Sequence, residues 1–199
     1  MTRGRGRIEV ILGPMFSGKT TELIRRMRRF RLANFKCVIL KYTKDSRYSE
    51  KDIATHDLQT LNALPCCSLK TYKSKANECE VVGIDEGQFF PDLIEFCEDL
   101  ANMGKIVIVA ALDGTYRRMA FGDILQLIPL AENVIKLNAI CMSCFQNASF
   151  TKRISAEKAV EIIGGADKYM AVCRECFHQS ENGKSEKIRS ALKENINSL

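Results

Sequence analysis

The sequence predicts an α/β fold in which helices flank a parallel sheet, with a small module held by paired cysteines at its C-terminal end. Three observations predict it. Short apolar runs alternate with helical patterns through the first two-thirds of the 199 residues. One run, residues 106–112, is apolar throughout, as expected of a strand buried on both faces of a parallel sheet. After residue 140 the pattern changes: two C-x-x-C pairs appear and long apolar runs stop.

The elements follow in order. Residues 8–12 form a strand and 19–32 a helix, whose apolar stripe is Leu23, Ile24, Met27 and Phe30. Residues 37–41 are a second strand. The polar stretch 42–62 is too long for an ordinary connection and is read as a functional loop. A third strand spans 81–85. Residues 91–103 are helical, with Pro91 suited to the first helical position and Gly104 just past the end. The strand 106–112 follows, then a short helix at 124–127 that stops before Pro129, and a final strand at 134–139. These divisions predict an α/β domain over 1–139, a cysteine-organised domain over 140–178, and a polar tail over 179–199.

Composition narrows the setting. No apolar run approaches the ~20 residues that span a bilayer, and the basic N-terminus leads into a strand rather than a signal-peptide core. The expected location is cytoplasmic, with no membrane partner. Nine cysteines, an odd count, argue against a closed disulfide framework. Cys37, Cys66, Cys67, Cys79 and Cys97 read as small hydrophobes. The net charge of +6 is partly concentrated in Arg25, Arg26, Arg28, Arg29 and Arg31. That cluster reads either as a nucleic-acid patch or as a solvated or subunit-contacting face paired with acids. The second is favoured, because Phe30, the aromatic between Arg29 and Arg31, belongs to the apolar stripe, so the arginine faces carry no aromatic to stack on bases.

Three constellations carry chemistry. The first is Gly13-Pro14-Met15-Phe16-Ser17-Gly18-Lys19-Thr20, a glycine-bracketed lysine loop between strand and helix. Backbone N–H groups in such a loop face a common centre, and the helix start adds its unpaired donors, so phosphates bind there. Lys19 would reach the β- and γ-phosphates, and the Thr20 hydroxyl would sit on Mg²⁺. The second is Asp85-Glu86, closing the apolar strand 81–85 beside the strand that leads into the loop. Asp85 suits a Mg²⁺ role, and Glu86, facing the other way if the strand continues, suits a general base or caps the next turn. The third is Cys141-x-x-Cys144 and Cys173-x-x-Cys176, four thiolates for a closed structural Zn²⁺ site, with redox chemistry as the lesser reading. Between the pairs lies Gly164-Gly165, where backbone can approach a ligand closely or simply turn.

With the stretches Ile84-Asp85-Glu86-Gly87-Gln88-Phe89-Phe90-Pro91, Ala110-Ala111-Leu112-Asp113-Gly114-Thr115 and Gly164-Gly165-Ala166-Asp167-Lys168-Tyr169, the sequence resembles the cytosolic type II thymidine kinase family. The resemblance runs from about residue 8 to 177. It implies a P-loop parallel sheet with a zinc-binding lasso domain, and transfer of the ATP γ-phosphoryl group to the 5′-hydroxyl of thymidine. It implies that Gly13 to Thr20, Asp45, Ser46, Arg47, Asp85, Glu86, Gly87 and Gln88 serve the ATP site, with Glu86 the base and Arg47 steadying the transferring group. Met15, Phe89, Leu112, Tyr116 and Phe121 would wall the thymidine pocket. Thr151, Val160, Glu161, Ile162, Ile163, Gly164 and Tyr169 would complete it as the tethered loop closes. It further implies a homotetramer, feedback inhibition by dTTP, and no direct nucleic-acid partner. Lys193-Glu194-Asn195 resembles a signal for ubiquitin-ligase recognition in cellular members. Two departures stand out: Tyr116 where the family often has Phe, and Arg118-Met119-Ala120 in place of a common Arg-Lys-Pro.

Overall fold

The computed structural model describes residues 6–43, 52–54, 60–155 and 165–179. In chain order the elements begin with β1 (Arg7–Leu12), α1 (Lys19–Leu32) and β2 (Cys37–Tyr42). A small antiparallel pair, β3 (Asp52–Ala54) and β4 (Thr60–Asn62), and an edge strand β5 (Leu64–Cys66) follow. Then come a 3₁₀ turn (Leu69–Tyr72), α2 (Lys73–Asn77), β6 (Val81–Asp85), a second 3₁₀ turn (Gly87–Phe89), α3 (Leu93–Asn102) and β7 (Ile106–Ala111). A third 3₁₀ stretch (Ile124–Leu130) leads to β8 (Asn133–Lys136). The chain continues through β9 (Ala139–Ile140), β10 (Asn147–Ala148), β11 (Phe150–Arg153), β12 (Tyr169–Val172) and α4 (Arg174–His178).

Six strands form one parallel sheet in the order β5-β2-β6-β7-β1-β8. The unbroken apolar runs have a simple cause: both faces of the sheet are covered. Along β7, Ile106, Ile108 and Ala110 join Leu23, Ile24 and Met27 of α1 in one core layer. The alternate residues Val107, Val109 and Ala111 join Leu93, Phe96 and Leu100 of α3 in the other. A period of two is therefore present, hidden because neither face is polar.

Several boundaries differ from the sequence reading. Pro91 does not start α3. Leu93 N–H donates to Phe90 O at 3.3 Å, and Asp92 has φ −103° and ψ 15°, so Pro91 takes the second position of a turn, which its fixed φ suits. The Asp92 carboxylate then turns back to accept from Ser68 Oγ (2.6 Å) and from the amides of Leu69 and Lys70 (3.2 and 2.9 Å), capping the 3₁₀ turn at Leu69. The stretch after Asp123 does not stop before Pro129. It is 3₁₀ rather than α, and Ala131 N–H reaches back to Ile128 O at 3.3 Å past the proline, which has no N–H to contribute. The predicted strand 134–139 is two elements: β8 ends at Lys136, and Ala139 already belongs to β9. Part of the expected loop 42–62 carries strands β3 and β4.

Past β8 the chain builds two small antiparallel pairs, β9 with β10 and β11 with β12, and the short helix α4. Ala139, Cys141, Ala148, Ala171, Val172 and Cys176 are its buried centre. Six residues make a small core, so other bonding has to assist.

Candidate active site

The glycine-bracketed loop lies between the end of β1 and the start of α1, at the carboxyl edge of the sheet where ligands of open α/β folds bind. Gly18 opens α1 at φ 80°, a left-handed geometry that favours glycine, and nothing lies within 4 Å of where its Cβ would stand. The space outside Gly18 is thus open to a ligand. Gly13 is needed for the opposite reason, since a Cβ there would come 2.6 Å from Leu137 O and 2.7 Å from Ser17 Oγ. Lys19 Nζ and Ser17 Oγ both donate to Pro14 O, at 2.7 and 2.8 Å, folding the loop over itself.

One loop donor is already committed. Met15 N–H donates to Thr151 Oγ1 at 3.0 Å, and Thr151 is buried. Thr151, expected beside the thymidine contacts, therefore also ties the glycine loop to β11. Sequence spacing holds no signal for this, because the two residues are 136 positions apart.

Asp85 ends β6, and here the topology corrects the sequence reading. β6 does not lie beside β1; β7 intervenes. The two halves of the site nevertheless meet, because α1 crosses the sheet and carries Thr20 with it. Thr20 Oγ1 donates to the Asp85 carboxylate, 3.2 Å from each oxygen. Asp85 is buried, which makes its hydrogen bonding essential.

Glu86 does not continue the strand to the opposite face. It turns left-handed at φ 55° and ψ 42°, starting the Gly87–Phe89 turn. A non-glycine residue held there carries roughly 1–3 kcal/mol of backbone strain, of the kind that gathers at functional sites. Its carboxylate accepts from Gln88 Nε2 at 2.6 Å.

The remaining predicted site residues fall into two groups. Phe89 packs edge-on to Phe121, with ring centroids 5.3 Å apart, and stacks on Tyr42 at 4.9 Å. Leu112 N–H donates to Gln88 Oε1 at 3.0 Å, which brings the end of β7 to the same wall. On the other side, the Arg153 guanidinium lies 3.8 Å from the centroid of Tyr116, and its Nη2 donates to Tyr169 Oη at 2.6 Å. Arg153 and Tyr42 were missed by sequence reasoning. Tyr42 had a usable signal, an aromatic closing a parallel strand at its carboxyl end. Arg153 had none, since its pairing with Tyr169 depends on the register of β11 against β12. Asp45, Ser46, Arg47, Val160, Glu161, Ile162, Ile163 and Gly164 lie outside the described residues, as does Lys193-Glu194-Asn195.

The four paired cysteines converge. The sulfurs of Cys141, Cys144, Cys173 and Cys176 all lie within 4.8 Å of one another, and Cys144 and Cys173 approach to 3.6 Å. A tetrahedron with Zn–S bonds of 2.3 Å has edges of about 3.8 Å, so the donor set fits zinc. Burial opposes ionisation of Cys141, yet the backbone N–H groups of Cys173, Ser143 and Cys144 aimed at its sulfur bring the thiol down to about 6. Of the other five, Cys66, Cys79 and Cys97 are buried and Cys37 half-buried, as small hydrophobes are, and burial pushes the Cys66 thiol up to about 12; Cys67 is exposed and departs from that reading. Arg118 clasps this module to the rest: its guanidinium sits 4.5 Å from the Phe177 ring and 5.6 Å from the Phe150 ring. The arginines of α1 follow the paired-face reading in part, with Arg25 bonded to Glu22 and Arg26 to both Glu22 and Glu9.

A sequence profile of the family described as thymidine kinase matches residues 6–177. The chain belongs to the thymidine kinase family. It is 57% identical over 194 residues to the cytosolic thymidine kinase of Gallus gallus, covering 98% of this chain and 85% of that protein. Against the cytosolic thymidine kinase of Homo sapiens the identity is 58% over 183 residues, covering 92% and 78%. Against the thymidine kinase of Variola virus it is 56% over 175 residues, covering 88% and 98%. Among solved structures, the flagellar accessory protein FlaH of Methanocaldococcus jannaschii aligns over 77% of this chain and 74% of its own, with TM-score 0.47 and 14% identity. Among the described residues no helix is long and apolar enough to cross a membrane.

Proposed function

We propose that this chain is a cytosolic thymidine kinase that transfers the γ-phosphoryl group of ATP to the 5′-hydroxyl of thymidine. The observation that carries the reading is the junction of Thr20, Asp85 and Glu86 at the mouth of the glycine loop. Thr20 and Asp85 are the residues that would hold Mg²⁺ arriving with ATP, which offsets the negative charge of the β- and γ-phosphates. The loop amides beyond Met15 and the start of α1 cradle the phosphates, and Lys19 swings from Pro14 O to the γ-phosphate. Glu86 accepts the 5′-hydroxyl proton as that oxygen bonds to the γ-phosphorus; the bond to the β,γ-bridging oxygen breaks, and ADP leaves.

Phe89, which packs on Phe121, and Leu112 would wall the sugar and base together with Met15, and Tyr116 and Tyr169, which meet at Arg153, would add to the pocket. By the family resemblance, Val160, Glu161, Ile162, Ile163 and Gly164 would contact the base, and Asp45, Ser46 and Arg47 the nucleotide. Zinc on the four cysteines is structural, since four thiolates leave no open position. The homotetramer, inhibition by dTTP and use of the Lys193-Glu194-Asn195 signal belong to the same reading.

The test measures ADP release with thymidine, with single-stranded DNA and with neither. Turnover should depend on thymidine alone, and DNA-stimulated turnover would refute the reading. Glu86→Gln should lower kcat ~10²–10⁴-fold while ATP binding persists. Near-normal turnover in that variant would remove Glu86 from its role.

A further inference from the structure

We propose that Gln88 is a positioning residue that aims the Glu86 carboxylate, and is not a contact for ATP. This rests on Glu86 acting as the base. Gln88 is buried, and both ends of its amide are already engaged. Nε2 donates to Glu86 Oε2 at 2.6 Å, and Oε1 accepts from Leu112 N–H at 3.0 Å. The amide is thus a strut between the end of β7 and the base. It starts from a rigid place, because Leu112 directly follows a strand buried along its whole length.

The strut has a physical purpose. Glu86 is left-handed and lies one residue past the end of β6, so the strand ladder does not set its direction. A carboxylate has two oxygens, and a proton acceptor works only when one faces the hydroxyl. Gln88 holds Oε2 with a charge-assisted bond and so fixes the direction of the carboxylate. The same strut reaches the substrate wall, since Leu112 belongs to it. The loop 113–122 then closes against Gln88 from outside, and a Cβ on Gly122 would come 2.5 Å from the Gln88 carbonyl oxygen. Base and wall are therefore registered through one side chain, and the loop packs against the backbone of the same residue.

Two substitutions separate this role from a plain structural one. Gln88→Glu keeps the shape and the acceptor for Leu112 N–H, but sets an oxygen where the donor to Glu86 stood. Gln88→Met removes both bonds at similar volume. If Gln88 aims Glu86, Gln88→Glu is the more damaging to kcat, because two carboxyl groups this close share one proton, which occupies Glu86 and lowers its basicity instead of merely releasing it. Its kcat per folded site should fall about 100-fold, the lower end of what a general base contributes, with the KM for ATP and thymidine changed less than about threefold. Folded sites are counted by stoichiometric binding of a non-hydrolysable ATP analogue.

A KM for ATP raised about tenfold at unchanged kcat would overturn the inference in favour of an ATP contact. A kcat lower in Gln88→Met than in Gln88→Glu, or unchanged in both, would also overturn it, leaving at most a brace for Leu112. Glu86→Gln is assayed alongside. If it is inactive while Gln88→Glu is active, only this inference fails; if Glu86→Gln turns over normally, the assignment of the base fails first.

Discussion

Replacing Thr151 by Val tests the bond that joins the glycine loop to the zinc module. The side chains are nearly isosteric, so packing is kept, but the acceptor for Met15 N–H disappears. Thr151 and Met15 are both buried, with 6% and 9% of their surface exposed, so water does not readily take the acceptor's place. An unsatisfied buried amide costs about 1–3 kcal/mol. In a domain of this size each kcal/mol lowers Tm by roughly 2–4 °C, which gives an expected drop of ~2–12 °C. Differential scanning calorimetry on the zinc-loaded protein measures it. Thr151→Ser, which keeps the hydroxyl, should recover most of the loss. A Tm within 1 °C of the parent for Thr151→Val, or equal losses for Val and Ser, would refute the reasoning.

Two further outcomes are expected besides those given for Glu86 and Gln88. The two arginine partners of Glu22, with the Arg25 hydrogen bonds the larger contribution, hold its carboxyl down from 4.5 to about 2. A depressed carboxyl stabilises the fold above its unfolded value and stops doing so as pH falls through 4.5 toward about 2. Arg25 is 55% exposed, so screening limits the contribution to about 1 kcal/mol. Urea unfolding of Glu22→Gln should show that deficit at pH 7 and a narrowing gap toward pH 3, whereas a pH-independent gap would contradict it. Chelation of zinc should expose the amides of β11 and β12 to hydrogen exchange while those of β1 and β7 stay protected. Simultaneous loss of protection in both regions would show that the module and the sheet unfold as one unit.

Much of the fold was legible because its determinants are local. The ends of α1 and β6 agree with the sequence reading residue for residue, since a glycine starts the helix and an acidic pair ends the strand. The four cysteines were legible for a similar reason: a C-x-x-C pair places two sulfurs on one side of a tight turn, so two pairs suffice to suggest a site. Misreadings occurred where a residue had two possible uses. Pro91 suits both a helix start and the second position of a turn, and the Phe90–Leu93 hydrogen bond selects the turn. Glu86 reads as strand if the ladder continues, and only its left-handed backbone places it on the turn instead.

By itself the sequence determined the groups on offer: a glycine-bracketed lysine loop, two adjacent carboxylates and two C-x-x-C pairs. Tertiary structure decided how these meet. The position of β7 between β1 and β6 could not be read from order along the chain, because strand order is a property of the assembled sheet. Nor could the contacts of Thr151 with Met15, of Arg153 with Tyr116 and Tyr169, or of Gln88 with Leu112. Each joins residues that the chain separates widely and burial brings together, where an unpaired polar group is costly enough that a partner must be found. Local pattern selects the groups; packing selects their partners.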